Sequence, residues 1–204
     1  MQSQQVQQIL DVAGDLFFEM GFWNAKVSDI AARSEISTAS IYKLFDSKDA
    51  LFRAVLTAGI KKLKRLAKAP VHSQDPIDQL YRAADHYERL CASALFRDLV
   101  RAPIEQNTIP FAFRRSMCRQ IRSALEELCT PPLQACAEIG LLDQERIKEA
   151  FRLLSAYIEY QTLWYGLLVG PTVQKPNEPG QIANEAVRIT LSAYSLAHQG
   201  AAAP

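Results

Sequence analysis

The stretch from Phe22 to Phe52, FWNAKVSDIAARSEISTASIYKLFDSKDALF, constrains the fold more than any other part of the chain. It holds two short helical patterns joined by a tight polar turn, and a third helix start follows at once. In the first pattern, over 27–34, Val27, Ile30 and Ala31 fall on one face. Ile36 can plug the angle between the helices, and Ser37 is a suitable N-cap, its hydroxyl able to accept an orphan amide hydrogen bond. The second helix, over 38–45, turns Ile41 and Phe45 inward and leaves Thr38, Ser40, Tyr42 and Lys43 outside. A short helix that shows hydroxyls, a phenol and an ammonium suits the second element of a helix-turn-helix, the one that enters a major groove. The alternative is an ordinary helical hairpin whose polar face is merely solvated.

The flanks support a compact three-helix head. Val6, Ile9, Leu10, Ala13, Leu16, Phe17 and Met20 recur at three- and four-residue steps, which predicts a first helix over 4–20 that roofs the motif. Gly21 then stands where a helix C-terminus favours glycine. Ser47 can cap a fourth helix running through Leu51, Val55, Ile60 and Leu66. The cations Lys61, Lys62, Lys64, Arg65 and Lys68 at its far end read as a solvated face that complements the helix dipole.

At these residues the chain resembles the TetR family of one-component transcriptional regulators. The match comprises Gly21-Phe22, Val27-Ser28-Asp29-Ile30-Ala31, Ser37, Ser40-Ile41-Tyr42, Phe45, Ser47-Lys48-Asp49 and Leu51. So many residues at fixed spacing form a specific signal, and it covers only about the first 50 residues. Three positions depart from the family pattern. Ser34-Glu35 stand where a small residue and glycine are common, so either Glu35 takes an unfavourable backbone conformation or the turn adjusts. Ala25-Lys26 replace a frequent threonine, which exchanges a hydroxyl for a cation as a phosphate contact. Leu44 replaces tyrosine or histidine, at the expense of one polar contact to the DNA backbone.

Composition fits this picture. A chain of 204 residues, 49% hydrophobic, can bury a substantial core. Its net charge of +1 is unevenly placed: residues 1–69 hold ten Lys or Arg against seven Asp or Glu, and the rest is acidic. A modestly basic head on an acidic body suits nucleic-acid contact by the head alone. The start, MQSQQVQQIL, has neither the basic flank nor the apolar run of a signal peptide, and no segment is long and apolar enough to span a bilayer, so a cytoplasmic protein is expected. Cys91, Cys118, Cys129 and Cys136 show no C-x-x-C pairing and read as reduced thiols, with a redox or metal-sensing role as the alternative for one of them.

Nothing in the sequence assembles catalysis. There is no G-x-S-x-G, Walker loop, H-E-x-x-H or dinucleotide fingerprint. His72, His86 and His198 are scattered, and His86 beside Asp85 and Glu88 is commonplace surface chemistry. The expectation is therefore no catalytic residue, no metal and no cofactor.

Beyond the head, the pattern stays helical and without strand-like alternation. A proline-containing linker at 70–76 precedes a helix over 76–101; Pro103 and Pro110 bracket a short interrupted piece. An arginine-rich helix (Arg114, Arg115, Arg119, Arg122) is expected over 110–129, and Pro131-Pro132 would open a separate short helix ending near Gly140. Over 144–169, Ile147, Phe151, Leu154, Ile158 and Tyr165 form one apolar face, and Ala150, Leu153, Tyr157, Tyr160, Trp164 and Leu167 form another. The last helix, over 181–197, carries Ile182, Ala186, Ile189, Ala193 and Leu196, broadened by Val187, Leu191 and Tyr194. Helices apolar on more than one side need partners on more than one side. The resemblance implies that the helices over 144–169 and 181–197 pair with their copies in a homodimer; otherwise both stripes fill the core of one chain.

The chain thus reads as all-α, with a helix-turn-helix DNA-binding domain over 1–46, a connecting helix over 47–69 and a helical effector-binding and dimerisation domain over 70–204. Thr38, Ser40, Tyr42 and Lys43 would address base edges and phosphates, with Lys26, Ser28, Ser37 and Lys48 fixing the backbone of a double-stranded, palindromic operator. Large aromatics in the body can line an apolar cavity, although core packing explains most of them. The resemblance implies that some touch a small, apolar or aromatic effector, and the candidates are Tyr87, Phe113, Met117, Tyr157, Tyr160 and Trp164. It further implies a repressor released when the effector spreads the two heads. An activator without effector response, or a helical interaction protein, is the other reading.

Overall fold

The computed structural model describes residues 2–68, 73–106, 108–164, 167 and 180–195. Among these residues the chain is helical without strands, as expected. It divides into two compact units, the first from the described residues of Met1–Lys62 and Asp98–Gln120, the second from those of Leu63–Arg97 and Ile121–Pro204.

In the first unit, α1 (Gln2–Asn24) buries Ile9, Ala13, Leu16 and Phe17. At Gly21 the backbone leaves the helix (φ 78, ψ 160), a conformation open to glycine and strained for any residue with a Cβ. The expected stop after Met20 is therefore present, followed by one further helical turn. Phe22 points inward from that turn and Trp23 outward. The Phe22 ring lies 5.9 Å from that of Phe17 and 5.1 Å from that of Phe52. Phe17 and Phe52 meet edge to face at 4.9 Å. This aromatic trio ties α1 to α4 (Lys48–Ala67), whose start is capped by the Ser47 hydroxyl accepting from the Ala50 amide at 3.1 Å. Between them lie α2 (Val27–Ser34) and α3 (Thr38–Leu44), anchored by Val27, Ile30 and Ile41.

The second unit is built on α5 (Pro76–Ala92), α8 (Ile147–Glu159) and α9 (Gln181–Tyr194), which pack against one another. Asp75 caps α5 by accepting from the Ile77 amide at 3.0 Å, with Pro76 at the start, where its missing N–H is harmless. The core holds Leu80, Ala84 and Leu90 of α5, Phe151, Leu154 and Ile158 of α8, and Ala183, Ala186 and Val187 of α9. α9 is tied down at both ends: the Ala183 amide donates to the Glu88 carboxylate at 2.7 Å, and the Tyr194 carbonyl accepts from the Asp143 amide at 3.2 Å.

Several local expectations are corrected. The helix over 76–101 breaks at Ser93, which ends α5 in an extended conformation (φ −70, ψ 149). Its hydroxyl accepts from the Phe96 amide at 3.2 Å and so caps α6 (Ala94–Glu105). Pro103 does not interrupt the chain there but sits in the last turn of α6. Pro131 and Pro132 do not start a new helix either; they lie inside α7, which runs unbroken from Phe111 to Glu138. α7 buries Leu125, Leu128, Cys129, Leu133 and Cys136, so one apolar stripe continues through the prolines and outweighs the two lost backbone bonds. Gly140 (φ 78) follows α7, and the Leu141 amide closes onto the Cys136 carbonyl at 3.0 Å, a Schellman ending. Phe45 is half-buried rather than buried. The helix over 144–169 opens with a 3₁₀ turn (Gln144–Arg146) and passes from α8 into a π turn (Tyr160–Trp164). Pro70, Tyr165 and Leu196 lie outside the described residues.

Candidate nucleic-acid interface

The turn between α2 and α3 is what presents α3. Glu35 caps α2 in the left-handed region (φ 54, ψ 30), the unfavourable conformation rather than an adjusted turn. The segment is held from both sides. The fully buried Ser34 donates its hydroxyl to the Ile30 carbonyl at 2.6 Å, and Gln8 of α1 donates its side-chain amide to the Ser34 carbonyl at 2.9 Å. The Ile36 amide returns to the Ala31 carbonyl at 3.1 Å, and Ile36 is buried in the angle as its position suggested.

Ser37 then caps α3, accepting from the Ser40 amide at 3.1 Å, while the two hydroxyls share a hydrogen bond at 2.9 Å. Ser37 and Ser40 are thereby engaged with each other. Ile41 is the buried anchor of α3, and Thr38, Tyr42 and Lys43 are exposed, Tyr42 at 50%. α3 thus has a single inward residue and an outward face of hydroxyl, phenol and ammonium. Such a face has donors and acceptors to offer base edges and phosphates.

Of the other candidates, Lys26 and Ser28 flank the start of α2 and are exposed. Lys26 occupies the N-cap position without a side-chain cap, consistent with a cation standing where a hydroxyl is usual. Lys48 is placed less simply. Its ammonium sits 4.5 Å from the centre of the Phe22 ring and reaches the Trp23 carbonyl at 3.4 Å, and burial lowers its pKa against the raising effect of Asp49. It sits at the first turn of α4, beside the turn that Gly21 creates.

The six effector candidates are divided between the units. Phe113 (half-buried) and Met117 (buried) belong to the first. In the second, Tyr87 is buried and donates its hydroxyl to Glu159 at 2.6 Å. Burial pushes its phenol well above the ordinary range, helped by Cys91 and Glu159, so it acts as a neutral donor. Tyr157 is half-buried; Tyr160 and Trp164, on the π turn, are 68% and 52% exposed. Glu159 immediately precedes this turn, and Thr162 lies within it, donating its hydroxyl to the Ile158 carbonyl at 2.7 Å. Glu159 was not among the sequence candidates, because its partner, Tyr87, lies 72 residues away in the chain.

His86 faces the Leu66 carbonyl at 2.8 Å, Asp85 pairs with Arg89, and Glu88 holds the start of α9. Among the described residues no three His, Cys, Asp or Glu side chains are grouped to hold a metal ion, and no helix is long and apolar enough to cross a membrane.

Among the described residues, an all-helical architecture with an amino-terminal helix-turn-helix defines the class. Residues 9–55 match the family described as bacterial regulatory proteins, tetR family. The chain is 41% identical over 87 residues to the HTH-type transcriptional repressor Rv3405c of Mycobacterium tuberculosis, an alignment spanning 43% of this chain and 44% of that relative. It is 26% identical over 167 residues, 78% of both chains, to the HTH-type transcriptional repressor KstR2 of Rhodococcus jostii. A crystal structure of a TetR-family regulator from Mesorhizobium loti superposes with a TM-score of 0.80 over 95% of this chain and 98% of that one, at 16% identity, which shows a shared fold.

Proposed function

We propose that this protein is a homodimeric transcriptional repressor that binds a palindromic operator and is released by a small, apolar or aromatic effector. The observation that carries the reading is the exposed face of α3, Thr38, Tyr42 and Lys43, held by the cap at Ser37 and the buried anchor Ile41. Both named relatives are described as repressors, which favours repression over activation. The domain roles follow the sequence division: DNA contact over 1–46, connection over 47–69, effector binding and dimerisation over 70–204.

Dimerisation accounts for surface that one chain leaves open. Leu153 and Tyr157 on α8 and Ile182, Ile189 and Leu191 on α9 are only half-buried, and Tyr160 and Trp164 are exposed. Aromatic and branched apolar side chains in such number are suited to a helical interface between two copies. The effector enters through the second unit, where Tyr87 and Glu159 provide polar tips among apolar walls. It must prefer the state with spread heads, because a ligand of equal affinity for both states would release nothing. The protein acts in the cytoplasm and without catalysis.

Selection of bound fragments from sheared genomic DNA, followed by footprinting and light scattering, tests the proposal. The expected result is a two-subunit particle protecting two inverted half-sites spaced by about one helical turn or a multiple of it. A single subunit that retains no fragment contradicts it.

A further inference from the structure

The outward face of α3 has a crest, and Ala39 stands on it. Successive residues of a helix are turned by about 100°, so Ala39 and Lys43 each lie about 160° from the buried anchor Ile41. Thr38 and Tyr42 stand lower on one flank, about 60° and 100° from the anchor, and Ser40 lies about 100° round on the other. Ala39 and Lys43 are exposed, whereas Ser40 is half-buried. Ser40 is also committed elsewhere: its hydroxyl is shared with that of Ser37 at 2.9 Å, and its amide donates to the same Ser37 oxygen at 3.1 Å.

At the crest, alanine offers only a methyl. It lets the helix backbone come close to whatever α3 meets. It has no donor or acceptor to replace the water that a polar group opposite would lose. Among the groups that base pairs present in the major groove, the apolar one is the C5-methyl of thymine. Lys43, one turn further on, and Tyr42 on the flank supply the polar contacts beside it.

Resting on the reading that α3 enters the major groove, we propose that Ala39 determines sequence at one position of each half-site by packing its methyl against the C5-methyl of a thymine. The contact selects thymine over cytosine, which lacks that methyl. Ala39 is thus a specificity residue beside the polar contacts of Thr38, Tyr42 and Lys43.

The test uses a genomic fragment that the full-length protein retains, trimmed to its protected half-sites. Each thymine in turn is replaced by deoxyuridine, which removes only the methyl, and affinity is measured for every substituted duplex. At one position of the half-site the parent should bind about fourfold more weakly, the worth of one apolar group of this size. In Ala39→Gly the thymine-to-deoxyuridine affinity ratio at that position should fall to near one, while other positions keep theirs. Comparing two duplexes on one variant cancels any change in the variant's own stability. Ala39→Ser, which sets a hydroxyl against the methyl, should also lower the ratio and serves if the glycine variant does not fold. A parent that binds DNA yet is indifferent to every methyl, or a ratio undiminished in the folded variant, overturns this proposal and leaves DNA binding standing. A parent that retains no fragment overturns the proposed function and this contact with it.

Discussion

Replacing Glu35 with glycine should stabilise this protein, although the residue is exposed and the change deletes a whole side chain. Glu35 is the single non-glycine residue with positive φ among the described residues. Holding an L-residue in the left-handed region costs roughly 1–2 kcal/mol, because Cβ crowds the carbonyl that follows. Glycine removes that clash but gives the unfolded chain more freedom, which offsets about 0.4–1 kcal/mol. The net expectation is a gain of about 0.5–1 kcal/mol. For a chain of 204 residues this is a rise of about 1–4 °C in Tm, or an equivalent shift of the denaturation midpoint at unchanged slope. Glu35→Ala is the control, since it removes the same carboxylate and keeps Cβ; it should stay within about 0.5 kcal/mol of the parent. Both variants are compared with the parent by urea denaturation at one protein concentration, because subunit association adds to apparent stability. If Glu35→Gly proves no more stable than Glu35→Ala, backbone strain at this turn is not what the structure implies.

Three further outcomes are expected. Ser37→Ala removes the cap of α3 and should cost about 1 kcal/mol of stability while weakening DNA affinity without altering subunit association; an unchanged denaturation midpoint would show that the cap is immaterial. In the native protein only Cys118 should react promptly with a chromogenic disulfide reagent at pH 8, because the other three thiols are buried, with burial pushing Cys129 up to about 12 and Cys136 up to about 11 and Cys91 well above its usual range. All four should react after unfolding, and two or more prompt thiols before it would contradict the burial. Burial also raises the carboxyl of Glu88 above its ordinary 4.5, so the folded state holds this proton longer than the unfolded chain. Its contribution is present below pH 4.5 and is lost as pH rises through the folded-state value, so Glu88→Gln should flatten that decline in a pH series of denaturation curves; an equally steep fall in the variant would refute the assignment.

The head was legible in the sequence because its signals are local. The stripe from Ile9 to Phe17, the glycine at 21, the Ser37 and Ser47 caps and the single buried Ile41 are each set by near neighbours. Where the sequence misled, longer-range packing decided. Pro131 and Pro132 promised a break, yet the stripe from Leu125 to Cys136 carries α7 through them. Ser93, inside the helix expected over 76–101, instead ends one helix and caps the next. The π turn at Tyr160–Trp164 has no local signature, and it leaves Tyr160 and Trp164 open where an uninterrupted helix was expected. Lys48 was read as free to reach a phosphate; its position over the Phe22 ring depends on how Gly21 folds the end of α1. The effector candidates, five aromatics and Met117, were chosen by side-chain type, a criterion that gives no spatial grouping, and they fall in both units.

The most direct test of the account is the affinity of Tyr42→Ala and Lys43→Ala for a genomic fragment that the parent retains, measured across a salt series with subunit association followed in parallel. Both variants should remain two-subunit particles and lose operator binding; residual binding by Lys43→Ala should show a shallower salt dependence, by about one phosphate contact per head. Undiminished affinity and an unchanged salt slope in both variants would mean that the outward face of α3 does not read DNA.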